Sequence, residues 1–374
     1  MNVLALNAGG TSHVAELYAV DEPPPRDPPE PLWRSEVDGK ETTFEQLFGD
    51  LRGERVEAVG HRVVHPGLHR GYSTVARVDD GLCDEIEAAI SFAPEHNRVA
   101  LEGIASARQR FGERVPQAVV FDTTLRDDSP EVARLLPVPV EWRERFGLRR
   151  FGFHGISHHD ACERVRHQLG DAAHDARIVT AHLGSGVSLA AFRGSRVLDT
   201  TMSFTPMDGT MMAKRAGGID PGAIFHLIRE NMEPAAIERA LNRDSGLAGV
   251  SGVSYDTRDV LEAMKRGDKR AQLAWELYAY RLRWHVGAMA SVLGGLDVLA
   301  FTGPVGEHMA TLRATVCARL EFLGIALDDA HNRAAVCECD SDVSESHARA
   351  KTYVIRTLEE WAIAKRIHTF LTAG

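Results

Sequence analysis

Four side chains place charge or imidazole at the end of an otherwise apolar run. Arg62 lies between Gly60-His61 and Val63-Val64, and Asp122 follows Val119-Val120-Phe121. His154 falls within Phe151-Gly152-Phe153-His154-Gly155, and His182 follows Val179-Thr180-Ala181. A lone histidine in such surroundings is ordinarily a satisfied core residue, but a charge at a strand end is costly to bury unless a partner or ligand meets it. Arg62 and Asp122 therefore point to a site. Three glycine turns accompany them: Gly9-Gly10, Gly184-Ser185-Gly186, and Gly303 with Gly306. With no Cβ in the way, backbone N–H groups in such turns can close on an anion. Any one alone reads as a tight hairpin. Three, each closing an apolar strand and flanked by Asn, His, Ser or Thr, point to a cleft that grips phosphate. Glu359-Glu360 opens a helix, where acidic residues ordinarily compensate the helix dipole.

These residues need strands to carry them. Val3–Leu6, then Asn7–Ser12, then Val14–Val20 read as a buried strand, a polar glycine turn and a half-exposed strand, and the pattern returns as Ile178–Ala181, His182–Gly186 and Val187–Phe192. The recurrence predicts two domains of like design. Further apolar strands, Ala58–Val64, Ala118–Asp122 and Val298–Gly303, predict mixed sheets flanked by helices. Helical periodicity covers Asp84–Arg110, Ala271–Leu293 and Leu358–Leu371, and Ser157-His158-His159-Asp160 reads as a capping box opening a helix to about Leu169. Six prolines between Asp21 and Pro31 predict an extended surface loop.

The 374 residues suffice for two domains or one large divided α/β unit, and 44% hydrophobic with 26% charged residues is ordinary globular composition. Against 53 Asp and Glu, 43 Lys and Arg leave a net charge of −10, the wrong sign for a nucleic-acid partner. No apolar run approaches the roughly 20 residues of a membrane span, so no membrane association is expected. Five cysteines, odd in number and without zinc-ribbon spacing, together with no expected signal peptide, imply reduced thiols in a cytoplasm. Cys337-Glu338-Cys339 is a poor start for a metal site, because structural zinc needs two further ligands at comparable spacing.

Taken together, these segments resemble the acetate kinase family, of the superfamily that includes actin and hexokinase. The matching strings include Asn7-Ala8-Gly9, Gly60–His65, Ala93-Pro94 with His96-Asn97, Val120–Thr123, Phe151–Gly155 with Ser157-His158, and His182-Leu183-Gly184 with Gly186. They continue through Phe204-Thr205-Pro206, Arg215, Ile219-Asp220-Pro221, Ser251–Ser254 with Asp256, Arg258 and Asp259, Gly306-Glu307, and Thr357 with Glu359-Glu360. Departures stand at Val14 for a lysine, Gly10 for a serine, Ser185 for an asparagine, Gly218 for an aspartate, and Pro304 and His308 in the third glycine turn.

The resemblance implies an α/β fold of two actin/hexokinase-like (ribonuclease H-like) domains, with mixed sheets around a nucleotide cleft. Residues 1–148 plus 360–374 would form the first domain, closed by the C-terminal helix, and 149–359 the nucleotide-binding second. It implies reversible transfer of the ATP γ-phosphoryl to a short carboxylate, acetate foremost, giving an acyl phosphate and ADP. Arg62 and Arg215 would bind the carboxylate and the phosphoryl, His154 and His182 would stabilise the transition state, and Asp122 would orient the reacting groups. Asn7 and Glu359 would position Mg2+ or Mn2+. His182, Leu183, Gly184, Ser185 and Gly186 would hold phosphates, while Asp256, Thr257, Arg258 and the turn Gly303, Pro304, Val305, Gly306, Glu307 and His308 would receive ATP or ADP at the adenosine end. Val64, Phe153, Pro206 and Glu95 would line the acyl pocket, with Glu95 either pairing with Arg98 at the rim or polarising the pocket. A homodimer is implied as well. Val14 and the altered turns leave a degenerate nucleotide-binding protein as one rival, and a kinase of a different small acid or of an alcohol, with Asp122 as base, as another.

Overall fold

The computed structural model describes residues 1–9, 12–25, 27–38, 43–49, 51, 53–68, 74–123, 125, 129–335 and 339–373, without the side chains of Ser12, Asp38 and Glu95. Gly10, Cys337 and Glu338 lie outside the described residues.

The described residues form two six-stranded mixed sheets. In the first, β1 (Asn2–Ala8), β2 (Ser12–Ala19), β3 (Trp33–Asp38), β4 (Ala58–Val63), β5 (Val75–Arg77) and β6 (Gln117–Phe121) lie in the order β3-β2-β1-β4-β6-β5. In the second, β7 (Arg177–Leu183), β8 (Val187–Arg193), β9 (Arg196–Thr200), β10 (Val298–Thr302), β11 (Ser341–Asp342) and β12 (Lys351–Val354) lie in the order β9-β8-β7-β10-β12-β11. The directions match as well. In each sheet a hairpin of three antiparallel strands joins two parallel ones, with a last antiparallel strand at the edge. The like design predicted from the recurring hairpin is thus a shared topology.

Burial explains the composition of the central strands. β1, β4, β6, β7 and β10 are covered on both faces, so they read as continuous apolar runs rather than alternating ones. On the first sheet, Trp361, Ile363 and Ile367 of the Glu359–Thr372 helix cover Val3, Ala5, Ala58 and Val120, while Phe44, Phe48 and Ala107 cover Leu4, Leu6 and Val59 on the other face. On the second, Ala161 and Val165 of the Gly155–Leu169 helix face Ile178, Val298 and Ala300. Trp275, Tyr278 and Leu282 of the Lys269–Leu293 helix join the cluster of Val179, Ala181, Leu299 and Phe301. Among the described residues, no helix is long and apolar enough to cross a membrane.

Two expectations need correction. Helical periodicity from Asp84 to Arg110 is interrupted: one helix spans Asp80–Ala88, a 3-10 turn follows at Ile90–Phe92, and a second helix runs Pro94–Phe111. Pro94 has no N–H to donate and suits only a first turn, so the helix restarts there. The capping box at Ser157 is absent. The helix starts two residues earlier, at Gly155, and its first N–H donates to the Asp122 carbonyl at 2.8 Å, which leaves Ser157 inside the first turn and free to point elsewhere.

Candidate active site

Parallel strands end together, and their carboxyl ends present the site. β1 ends near Asn7, β4 at Arg62 and Val63, β6 at Phe121 just before Asp122, β7 near His182, and β10 at Thr302 before the Gly303 turn. These ends border one cavity of about 270 Å³.

Arg62 is the hub. Its Nη2 donates to Asp122 Oδ2 at 2.9 Å, its Nη1 donates to Asn7 Oδ1 at 3.0 Å, and Nη1 lies 3.7 Å from Glu359 Oε2. Asn7 Nδ2 in turn donates to Glu359 Oε2 at 2.8 Å and to Glu360 Oε1 at 2.9 Å. Burial disfavours the Arg62 charge, but Asp122 and Glu359 more than offset it and hold the guanidinium above its ordinary pKa. Glu360 is pushed up to about 7 by burial and by the neighbouring Glu16 and Glu359 carboxylates. Arg215 enters from the second half, its Nη1 donating to the Pro206 carbonyl at 3.3 Å.

Three histidines, His96, His154 and His182, line the cavity with these arginines. The His154 and His182 rings lie 4.3 Å apart. Burial lowers both pKa values, His182 and Arg62 reinforcing the effect at His154. His96 is lowered to about 4 by burial and by Arg62 and Arg215. All three are neutral at pH 7. His154 also holds a left-handed backbone, φ 58 and ψ 28, immediately before its helix; outside glycine that conformation costs about 1 kcal/mol or more and concentrates at functional sites.

The Gly184-Ser185-Gly186 turn is closed by Gly184 N–H donating to the Gly186 carbonyl at 3.0 Å. A Cβ on Gly186 would sit 3.2 Å from His154 Nε2 and 3.4 Å from Arg215 Nη1, so glycine there keeps the turn against both side chains. The second turn is anchored from behind. Gly303 N–H donates to Thr357 Oγ1 at 2.7 Å, Thr357 N–H donates to Glu307 Oε1 at 2.8 Å, and the Thr357 hydroxyl also contacts Glu307.

The predicted residues divide by position. Asn7, Arg62, Val64, Asp122, Phe153, His154, His182, Gly184, Ser185, Gly186, Pro206, Arg215, Pro304 and Glu359 line the cavity. Leu183 packs in the core beneath it, and Glu307 is buried behind Thr357. Gly303, Val305, Gly306 and His308 share the short helix of Pro304 but do not border the cavity, nor do Asp256, Thr257 and Arg258. Asp256 instead caps the Thr257–Lys265 helix and pairs with the exposed Arg258. The side chain of Glu95 lies outside those described. Sequence reasoning gave no role to His96, Thr357 or Glu360, all of which line the cavity, although each sits in a string that carries the resemblance.

Asp122 Oδ1 is buried without a hydrogen-bond partner among the described residues, and Glu359 lies beside it across Arg62. Hard carboxylate oxygens in this arrangement fit Mg2+, which keeps several waters and takes one or two carboxylates alongside phosphates. Among the described residues, no group of three or more His, Cys, Asp or Glu forms a self-sufficient metal cage.

Two sheets of one topology, presenting glycine-tipped strand ends to a cavity with two arginines and three neutral histidines, define the class: an α/β phosphotransferase of the actin/hexokinase-like kind. Within that class the chain belongs to the acetokinase family, whose profile matches residues 42–365. It is 40% identical to an acetate kinase of Nostoc sp. over 98% of each chain. Among solved structures, it is similar to Porphyromonas gingivalis acetate kinase (TM-score 0.86, 32% identity, 99% of each chain). It is also similar to a propionate kinase from Francisella tularensis (TM-score 0.83, 29% identity, 97% of this chain and 98% of that one).

Proposed function

We propose that this protein phosphorylates acetate with ATP, reversibly, giving acetyl phosphate and ADP. The observation that carries this reading is the convergence of Arg62, Arg215, His154 and His182 beside a small apolar wall of Val64, Phe153 and Pro206. Phosphoryl transfer asks little covalent chemistry of a protein; it asks for positioning and for neutralisation of charge on the equatorial oxygens. A carboxylate oxygen attacks the γ-phosphorus as the bond to the ADP oxygen breaks. Arg62 and Arg215 orient the carboxylate and meet the transferring phosphoryl, and the neutral imidazoles of His154 and His182 add hydrogen bonds. The wall takes the methyl group. His96, kept neutral by burial and by the Arg62 and Arg215 charges, lines the same cavity. Asp122 and Glu359, with Asn7, would hold Mg2+ or Mn2+, which when bound offsets phosphate charge. The His182–Gly186 turn receives the phosphates, while Asp256, Thr257, Arg258 and the Gly303–His308 turn, of which Pro304 borders the cavity, take the adenosine end.

Residues 1–148 with 360–374, and residues 149–359, act in this proposal as two domains closing on the nucleotide. The exposed Leu273, Tyr280 and Trp284 on the Lys269–Leu293 helix support a homodimer through the second, and the reaction suits a cytoplasmic enzyme. The test is ADP release by purified protein with a panel of short acids, coupled to hydroxylamine trapping. A trapped hydroxamate with acetate or propionate is expected. ADP release into a hydroxylamine-stable product would point to an alcohol acceptor, and nucleotide binding without turnover would overturn the kinase reading.

A further inference from the structure

Behind the cavity histidines runs a chain of buried polar groups that the reaction as described does not use. His154 Nδ1 lies 2.8 Å from Ser188 Oγ, the same oxygen lies 2.7 Å from His158 Nε2, and His158 Nδ1 lies 2.7 Å from Thr180 Oγ1. Ser188, His158 and Thr180 are wholly inaccessible. The elements explain the alignment. His154 and His158 are one helical turn apart, the His158 N–H donating to the His154 carbonyl at 2.9 Å, while Thr180 and Ser188 come from β7 and β8 of the sheet beneath.

A hydroxyl has one hydrogen. With no third partner for its hydroxyl among the described residues, Ser188 places its hydrogen on one ring nitrogen and accepts from the other, so the tautomers of His154 and His158 are tied together. Burial keeps both rings neutral, each with a single N–H to place. If Thr180 donates to His158 Nδ1, then His158 Nε2–H donates to Ser188, Ser188 donates to His154 Nδ1, and the His154 N–H is left on Nε2. That nitrogen is the one beside Gly186 and Arg215. The reverse order keeps the 2.7 Å contact, with His158 Nδ1–H donating to Thr180 and the Thr180 hydrogen turned to the Ala190 carbonyl at 3.5 Å, but it leaves His154 Nε2 bare, and a bare nitrogen cannot bond a phosphoryl oxygen, which only accepts.

We propose that Thr180, His158 and Ser188 are positioning residues that hold His154 as the neutral Nε2–H tautomer, so that it donates to the transferring phosphoryl group. The identity of the acceptor rests on the phosphoryl-transfer reading above. A neutral donor adds a hydrogen bond beside Arg62 and Arg215 without adding a third positive charge. His182, whose Nδ1 meets only Ser157 Oγ at 2.8 Å among these groups, lies outside the chain and serves as internal reference.

The test is histidine 15N spectroscopy on full-length wild type, Ser188→Ala, Thr180→Val and Thr180→Ser, each with ADP, Mg2+, acetate and aluminium fluoride, alongside kcat and KM. Wild type is expected to show protonated Nε2 and bare Nδ1 at His154. Ser188→Ala should turn this into a tautomer mixture and lower kcat about tenfold or more, because a hydrogen bond to a charged group is lost in a dry site, while KM for acetate and ATP changes little. Thr180→Ser should match wild type, and Thr180→Val should shift the His154 signals in the same direction as Ser188→Ala; His182 signals should stay put in all four. A wild-type His154 protonated on Nδ1, or a folded Ser188→Ala with unchanged signature and turnover, overturns the proposal. Should Ser188→Ala not fold, equal turnover and spectra in Thr180→Val and Thr180→Ser overturn it. Because the tautomer is read without turnover, a missing acyl phosphate in wild type defeats the kinase reading, whereas normal turnover with the wrong tautomer defeats this one alone.

Discussion

Arg62 is held by oxygens of Asn7, Asp122 and Glu359, so its guanidinium plane is fixed before any substrate arrives. Preorganised charge of this kind is worth most in the transition state. Arg62→Ala should therefore lower kcat/KM by about 100-fold or more, and Arg62→Lys should recover little, since an ammonium keeps the charge but cannot contact three separated oxygens in one plane. The alanine substitution also strands the buried Asp122 and Glu359 without their cation, at about 3 kcal/mol of stability in urea unfolding. Turnover near wild type in the alanine variant would remove Arg62 from the reaction. Glu360 gives a second prediction. Its pKa is raised from 4.5 to about 7, so the folded state binds the proton more tightly than the unfolded one. The stability from this group is full below pH 4.5 and is lost as pH rises through 7. Glu360→Gln stays neutral and its amide oxygen still accepts from Asn7, so it should match wild type near pH 4.5 and exceed it at pH 8 by at most about 3 kcal/mol. An identical stability difference at both pH values would mean that Glu360 does not titrate in this window.

The C-terminal helix is seated on the first sheet through a glycine. A Cβ on Gly60 in β4 would come within 2.6 Å of Ile367 Cγ1 and 2.9 Å of Ile363 Cγ2, distances that force the helix outward. Gly60→Ala should destabilise by about 1–3 kcal/mol as overpacking does, and should also lower kcat, because the helix that shifts begins with the Glu359 facing Arg62. Combining it with Ile367→Ala should recover part of the stability in a double-mutant cycle; strict additivity would mean that the two positions do not touch. These element-scale contacts mark the limit of sequence reading. The strands and their tips were legible because buried parallel strands are apolar runs, and Arg62, Asp122 and His182 interrupt such runs. The break at Pro94 was masked by apolar spacing that continues on both sides of it. The start of the Gly155 helix is not legible in the sequence because its first N–H is met by a carbonyl from a different element, Asp122, which leaves no local cap signal. Glu360 and Thr357 gave no local signal either: an acidic first turn and a lone threonine are common, and only the fold carries them to Asn7 and Gly303.

At the scale of the molecule, two sheets of one topology contribute separately to a single cavity. Asn7, Arg62 and Asp122 come from the first, and His182 with the Gly184–Gly186 turn from the second. Between them the Gly155–Leu169 and Glu359–Thr372 helices lie against each other, with Lys365 Nζ 3.4 Å from Glu163 and 3.7 Å from Asp160. We propose this helix pair as the pivot: the Glu359–Thr372 helix packs on the first sheet, and the Gly155–Leu169 helix packs on the second while its Ile156 reaches the first. Rotation about it would bring the glycine turns of the second half down on the Arg62 cluster and expel water, which otherwise competes with the carboxylate for the phosphoryl group. The expected outcome is ligand-driven compaction. Small-angle scattering should give a smaller radius of gyration with ADP, Mg2+, acetate and aluminium fluoride than with no ligand, at a protein concentration where the oligomeric state is the same in both. Arg62→Ala, lacking the group on which the halves converge, should compact less at equal nucleotide occupancy. An unchanged radius in wild type, with ligand shown to be bound by calorimetry, would mean that the two halves form one rigid body and that the cavity is already in its reactive shape.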